Sequence, residues 1–260
     1  MQPILIQGAM QIEIENIISK IKNKEIRKFC GITFYEGLIN YVPVVVQKTG
    51  IGIINTAMAT TIGINNYDPK LIINQGCAGA CNKGLHTGDI IIGENCININ
   101  SNKTPNLKDN EGSNSLKWEL YNFYEDEENY SQSKNYNKEI EEKNRQKLNT
   151  YKKVSSDKYL IGELRKYFEN NNNVYYGTLG SGDIWDNEND RINLLNRKYN
   201  ILSEDMETIA AYIVCEKLNV PKIGIRMISN NKLTDESYNA ESLLRLKDFQ
   251  EEIVKIINIL

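Results

Sequence analysis

Short apolar runs recur along this chain, each breaking into small or turn-forming residues before a stretch of helical periodicity. Pro3 to Ile6 breaks at Gly8-Ala9 and is followed by Met10, Ile14, Ile17, Ile18 and Ile21. Leu71 to Gln75 runs into Gly76-Cys77-Ala78-Gly79-Ala80, Gly88-Asp89 opens a run to about Ile99, and Val174 to Leu179 and Pro221 to Asn230 repeat the pattern. Runs this long and this apolar are strands buried on both faces, and strands that alternate with helices build a layered sheet. The expected architecture is a three-layer α/β/α sandwich around a mixed, mainly parallel central sheet. Ile32 to Gly37 and Val42 to Val46 form a strand pair within it, and Leu246, Phe249, Ile253, Ile256 and Leu260 mark a closing helix. One domain over 1–260 accommodates all of this, since 260 residues at 40% hydrophobic content can bury a substantial core. The segment from about 100 to 155 departs from the pattern: it is rich in Asn, Lys, Glu, Ser and Tyr and reads as a polar insertion of surface loop and solvated helix that buries little apolar area. Within it, Trp118, Leu120, Tyr121, Phe123 and Tyr124 could form a lid or a subunit contact.

Charge excludes several classes of function. With 31 Lys+Arg against 34 Asp+Glu and no basic stripe, the chain is suited neither to nucleic acid nor to an anionic membrane. No apolar run could cross a bilayer, and Met1-Gln2-Pro3-Ile4 lacks a secretory signal's basic flank, so a cytoplasmic protein is expected. Cys30, Cys77, Cys81, Cys96 and Cys215 have no framework spacing and read as reduced thiols. His86, the single histidine, sits in a Gly-rich turn, so a Ser-His-Asp mechanism or a zinc site has little to build on. No metal or cofactor is expected.

Chemistry concentrates in Ile201 to Cys215. Met206, Ile209, Ala210, Ile213 and Val214 fall on one helical stripe, so a helix carrying them presses on a core and holds the acids Glu204, Asp205 and Glu207 rigidly at its start. Ser203 can cap this helix while the acids complement its dipole, but three acids exceed what capping requires. Glu13 projects beside a buried stripe at the carboxyl end of the first strand, where open α/β sheets bind ligands. Arg226 lies inside an apolar run and needs an anionic partner. Trp185 stands in the Gly-bracketed loop Gly180-Ser181-Gly182-Asp183-Ile184-Trp185-Asp186, which suits stacking on a flat base better than filling a core. Gly50-Ile51-Gly52 opens a helix but matches neither a dinucleotide fingerprint nor a P-loop.

Taken in order, Gly8 to Glu13, the strand end at Cys77-Ala78-Gly79, the Ser-Gly-Asp-aromatic loop, Asp205-Met206-Glu207 and Arg226 resemble the purine nucleoside phosphorylase/hydrolase family, most closely its 5'-methylthioadenosine/S-adenosylhomocysteine nucleosidase branch. The resemblance implies a hydrolase of purine nucleosides, often a homodimer whose insertion covers the 5' substituent. It implies that Glu13 and Arg226 bracket the attacking water. Trp185 and the Asp186 backbone would hold the base, Met206 and Glu207 the ribose, with Cys77, Ala78, Gly79, Asp205 and Ser229 completing the substrate pocket. A carboxylate at Glu207 has a physical purpose, because cleaving an N-glycosidic bond builds positive charge on the sugar and a preplaced anion stabilises it most in the transition state.

Three departures matter. Cys77 stands where the nucleosidases usually carry Ser. Asn74 and Gln75 stand where phosphorolytic members carry a phosphate-binding Arg, which makes water the expected nucleophile. Asn230 replaces the Asp that protonates the base; an amide can hydrogen-bond but cannot transfer a proton. Some members acting on 6-oxopurines, including futalosine hydrolase-like enzymes and trimeric phosphorylases, carry Asn there. A 6-oxopurine hydrolase and a phosphorylase therefore remain alternatives, as does a non-catalytic nucleoside-binding protein, against which Glu13 argues. If adenine is the base, its proton would come from water or a nearby acid such as Asp235.

Overall fold

In the computed structural model, which describes residues 2–121 and 152–260, ten strands form a mixed sheet with helices on both faces. Strand β1 (Ile4–Gly8) lies between β4 (Val42–Lys48) and β5 (Leu71–Ala80), parallel to both, and β12 (Lys222–Asn230) continues this parallel set beside β5. A second parallel set joins β6 (Ile90–Asn98), β10 (Val174–Ser181) and β11 (Ile201–Asp205). The antiparallel β6–β12 pairing ties the two sets together. Strand β11 also pairs with the end of β5, through Ser203↔Ala80 and Glu204↔Gly79, so β11, β10, β6, β12 and β5 close on themselves.

Alternation along the strands feeds two cores. Ile4, Ile6 and Ile73 face helices α1 (Gln11–Ser19), α3 (Lys158–Tyr167) and α6 (Ala240–Ile256). Leu5, Val45 and Ile72 face α2 (Ile53–Tyr67) and α5 (Thr208–Leu218). Helix α4 (Asn189–Tyr199) packs Ile192 and Leu195 with Ile97, Ile99 and Ile201 in a further cluster. The strand pair expected around Asn40-Tyr41 is β3 (Ile32–Ile39) with β4, and both turn residues have positive φ, as a tight hairpin turn requires. An exposed strand, β2 (Lys22–Phe29), extends that edge; its mostly polar sequence gave no strand signal.

Two expectations need correction. Ile201 to Asp205 is a strand rather than the head of a helix. Ser203 is therefore a buried strand residue and not a cap; its alternation is Ile201, Ser203 and Asp205 inward, a period of two that small polar residues concealed. Helix α5 starts at Thr208 and buries Ile209, Tyr212 and Cys215, while Ile213 and Val214 are half-buried. The insertion, for its part, is not all solvated. Leu120, in β8 (Glu119–Leu120), is buried with α4 and β11, paired through β8 with β7 (Asn102–Lys103), and β9 (Lys153–Ser155) pairs with β6 and buries Val154. Phe123 and Tyr124 lie outside the described residues. Among the described residues, no helix is long and apolar enough to cross a membrane.

Candidate active site

A cavity of about 410 Å³ opens at the carboxyl ends of β1, β5, β10, β11 and β12. This is where an open α/β sheet gathers its loops, and the volume suits a nucleoside-sized ligand. Of the residues expected from sequence, Cys77, Ala78, Gly79, Trp185, Met206, Glu207, Ser229 and Asn230 line it, together with backbone at Asp205. Ala9, Met10, Ile51, Ile184, Glu204 and Tyr238 complete the walls. Among the described residues the lining contains no Arg, Lys or His.

Glu207 sits in the turn between β11 and α5. The backbone N–H of Gly52 donates to its Oε1 at 3.0 Å, and that of Met206 approaches Oε2 at 3.3 Å. The Gly50-Ile51-Gly52 turn therefore holds a protein carboxylate. Its neighbour Asp183 accepts from Ile53 N at 2.8 Å, so two acids already occupy the amino end of α2, where a phosphate would otherwise be held. Burial, reinforced by the charge of Asp205, pushes the Glu207 carboxyl up to about 7.

Glu13 lies immediately behind the cavity wall, in the first turn of α1. Its Oε2 accepts from Ala9 N at 2.8 Å and Met10 N at 2.9 Å, and its Oε1 from Cys77 N at 2.9 Å. One carboxylate thus joins the β1–α1 turn to the end of β5. A Cβ on Gly76 would stand 2.6 Å from Oε1, so only glycine admits this approach. Burial raises the Glu13 pKa and outweighs the three N–H groups and Arg226 that favour the anion.

Arg226 is buried and stands outside the cavity wall. Its anionic partner is Asp205, with Nε 3.1 Å from Oδ2, and its Nη2 donates to Thr208 Oγ1 at 2.7 Å and to Asn74 Oδ1. Like Glu13 it lies behind the wall, and it acts on Glu13 and Glu207 through its charge. Asp205 is likewise a positioning residue. Its carboxylate accepts from Ser181 Oγ, Glu207 N and Thr208 N at 2.8 Å each and from Thr208 Oγ1 at 2.6 Å, and it has no exposed surface left for a substrate. Burial opposes this charge, but Arg226 and the Thr208 and Glu207 donors hold its pKa below the usual value. The hub fixes the turn that aims Met206 and Glu207.

Trp185 is 66% exposed at the cavity rim, beside Ile184, so it plugs no core. Asp186 behaves differently from expectation: it is buried outside the cavity wall, its carboxylate paired with Arg191 Nε at 2.9 Å. It lies beside Glu204, on which its charge acts. Asn230 Oδ1 accepts from Ser229 Oγ at 2.9 Å, which turns its Nδ2 toward Gly79. Asp235 is exposed in a left-handed turn and does not line the cavity. His86 also lies away from it, with Nδ1 2.7 Å from Glu236. Asn74 is held by Gln7 and Arg226, and the Gln75 amide donates to the Glu13 carbonyl. Sequence reasoning missed Tyr238, an isolated aromatic in a polar loop with no periodicity to mark it.

A family model described as the phosphorylase superfamily matches residues 3–259. A 5'-methylthioadenosine/S-adenosylhomocysteine nucleosidase of Buchnera aphidicola is 28% identical over 250 residues, covering 96% of this chain and 86% of that protein. One from Staphylococcus saprophyticus is 43% identical over 87 residues, 34% of this chain and 38% of that one. Among solved structures, the Neisseria meningitidis 5'-methylthioadenosine/S-adenosylhomocysteine nucleosidase in complex with methylthio-immucillin-A superposes with a TM-score of 0.73 at 21% identity, over 100% of both chains. A futalosine hydrolase mutant of Helicobacter pylori superposes with a TM-score of 0.74 at 18% identity, again over 100% of both.

Proposed function

Because the chain belongs to the phosphorylase superfamily, we propose that it hydrolyses the N-glycosidic bond of a purine nucleoside of the 5'-methylthioadenosine or S-adenosylhomocysteine type, releasing free base and pentose. The observation that carries this reading is the desolvated Glu207 carboxylate, pinned by Gly52 beside Met206 in a cavity whose described walls hold no cation. Such an anion stabilises the positive sugar of the transition state, and the missing cation leaves phosphate without a counter-charge. Trp185 stacks on the base at the rim. Glu13, behind Ala9, Met10 and Cys77, takes the proton of the attacking water, a role to which a carboxyl raised by burial is suited. The relatives' printed activities support the substrate class. Incubation with methylthioadenosine and adenosylhomocysteine, with chromatography for free adenine, tests it.

Asn230 favours a second reading, a hydrolase of 6-oxopurine nucleosides such as inosine or futalosine, since an amide can donate to O6 and accept from a protonated N7. Adenosine, inosine and futalosine assayed side by side discriminate the two.

The protein is further taken to be a cytoplasmic homodimer formed of a single domain. Ile51, Ile54 and Met58 leave an apolar stripe exposed at the start of α2, next to the cavity, and a second copy covering it would also enclose the site. Sedimentation velocity measures the state.

A further inference from the structure

We propose that Glu204 is the general acid of this site, delivering the proton that the departing purine needs and that Asn230 cannot supply; this rests on the nucleosidase reading above. Three observations carry it. Glu204 and Asn230 are the two cross-strand partners of Gly79, one on β11 and the other on β12, so their side chains share a face of the sheet. A Cβ on Gly79 would lie 3.4 Å from Asn230 Nδ2 and 3.5 Å from Glu204 Oε1, so the missing side chain is the gap across which the two groups face each other. Glu204 itself lines the cavity, with its Oε2 buried on the side away from it.

The surroundings keep this group a neutral acid. Burial and the adjoining Asp186 carboxylate raise its pKa well above the usual value, and the Arg191 charge only partly offsets them. The buried Cys81 thiol, just past β5, is a further titratable group near it, and Asp205, Glu207 and Tyr238 share the cavity. Asp186 is tied to Arg191, while Glu204 is the acid that its surroundings hold in the neutral form.

The balance is simple. The bond from the anomeric carbon to the base nitrogen breaks, and its electron pair passes into the purine. Glu204 gives its proton to a ring nitrogen and becomes a carboxylate. Water bonds to the anomeric carbon and gives a proton to Glu13. Proton exchange with solvent then returns Glu13 to the anion and Glu204 to the acid, so one nucleoside and one water yield base and pentose.

Glu204→Gln tests the assignment, because Gln matches the neutral carboxyl in size and hydrogen-bonding capacity but has no proton to transfer. We expect an unchanged melting temperature, kcat on purine nucleosides reduced about a hundredfold or more with KM little altered, and loss of the alkaline limb of the wild-type pH profile. Cleavage of nitrophenyl riboside, whose leaving group departs without protonation, should be retained, and Asn230→Asp added to Glu204→Gln should restore part of the purine rate from the other side of Gly79. A folded Glu204→Gln that keeps purine turnover and its alkaline limb overturns the assignment. So does an equal loss on both substrates, which marks a merely structural residue. Wild-type protein that cleaves nitrophenyl riboside but no purine nucleoside overturns the nucleosidase reading itself.

Discussion

Replacing Glu207 by Gln should make the unliganded protein more stable at pH 8 while removing most of its activity. Burial and Asp205 raise this carboxyl from 4.5 to about 7. At ~1.4 kcal/mol for each tenfold change, holding the ionised form in the folded protein costs about 3 kcal/mol at high pH. Because the folded pKa exceeds the unfolded one, the group's stabilising contribution is complete below about 4.5 and is lost as the pH climbs through 7. Gln removes that loss. It keeps the acceptor for Gly52 N but turns a donor toward Met206 N, returning about 1 kcal/mol. The net gain is about 2 kcal/mol at pH 8, an increase in Tm of ~4–8 °C, and at pH 4, where no ionisation cost is relieved, it becomes a loss of about 1 kcal/mol. In the same protein kcat should fall about a hundredfold, since a neutral amide still binds sugar hydroxyls but no longer opposes their positive charge. Calorimetry at pH 4 and pH 8 beside steady-state kinetics measures both. A variant that is destabilised equally at both pH values, or one that turns over normally, refutes the reasoning.

Other substitutions separate the parts of the site. Asn230→Asp should raise the rate on 6-aminopurine nucleosides, more at low pH where the new carboxyl is protonated, and lower it on inosine-type substrates; parallel kinetics at pH 5.5 and 7.5, chosen as roughly either side of neutrality, check this. Trp185→Ala should leave Tm unchanged, because the ring is exposed, but raise KM about tenfold through lost stacking, as read from initial rates. Asp205→Asn strands the buried Arg226 charge and should cost about 3–5 kcal/mol at pH 7 by denaturant titration. The depressed folded pKa of Asp205 means that its contribution is present above the usual 3.8 and is lost as pH falls through the folded value, so wild type and variant should converge in acid.

The alternation of apolar runs with helical periodicity was enough to read the layered sheet, because buried strands leave an unmistakable run of Ile, Leu and Val. β2 escaped because an exposed edge strand has no buried face to pattern it. β11 escaped because its inward positions include Ser203 and Asp205, chosen for the site rather than the core. Among the site residues, Cys77, Gly79, Met206, Glu207 and Asn230 were legible and do meet at one cavity. What sequence could not separate was which acid faces the cavity and which is spent behind it. Glu204, Asp205 and Glu207 are neighbours in the chain, yet alternation and the turn send one to Gly79, one to Arg226 and one to Gly52. Asp186 and Arg226 were likewise placed in contact with substrate or water, when ion pairs with Arg191 and Asp205 hold them behind the wall.

The central claim, that water rather than phosphate is the nucleophile, is tested most directly by the products formed from methylthioadenosine, adenosylhomocysteine, adenosine, inosine and futalosine in matched reactions with and without phosphate. The account predicts free base and free pentose from at least one of them, at a rate independent of phosphate. Accumulation of a sugar 1-phosphate, at a rate rising in proportion to added phosphate, would contradict it.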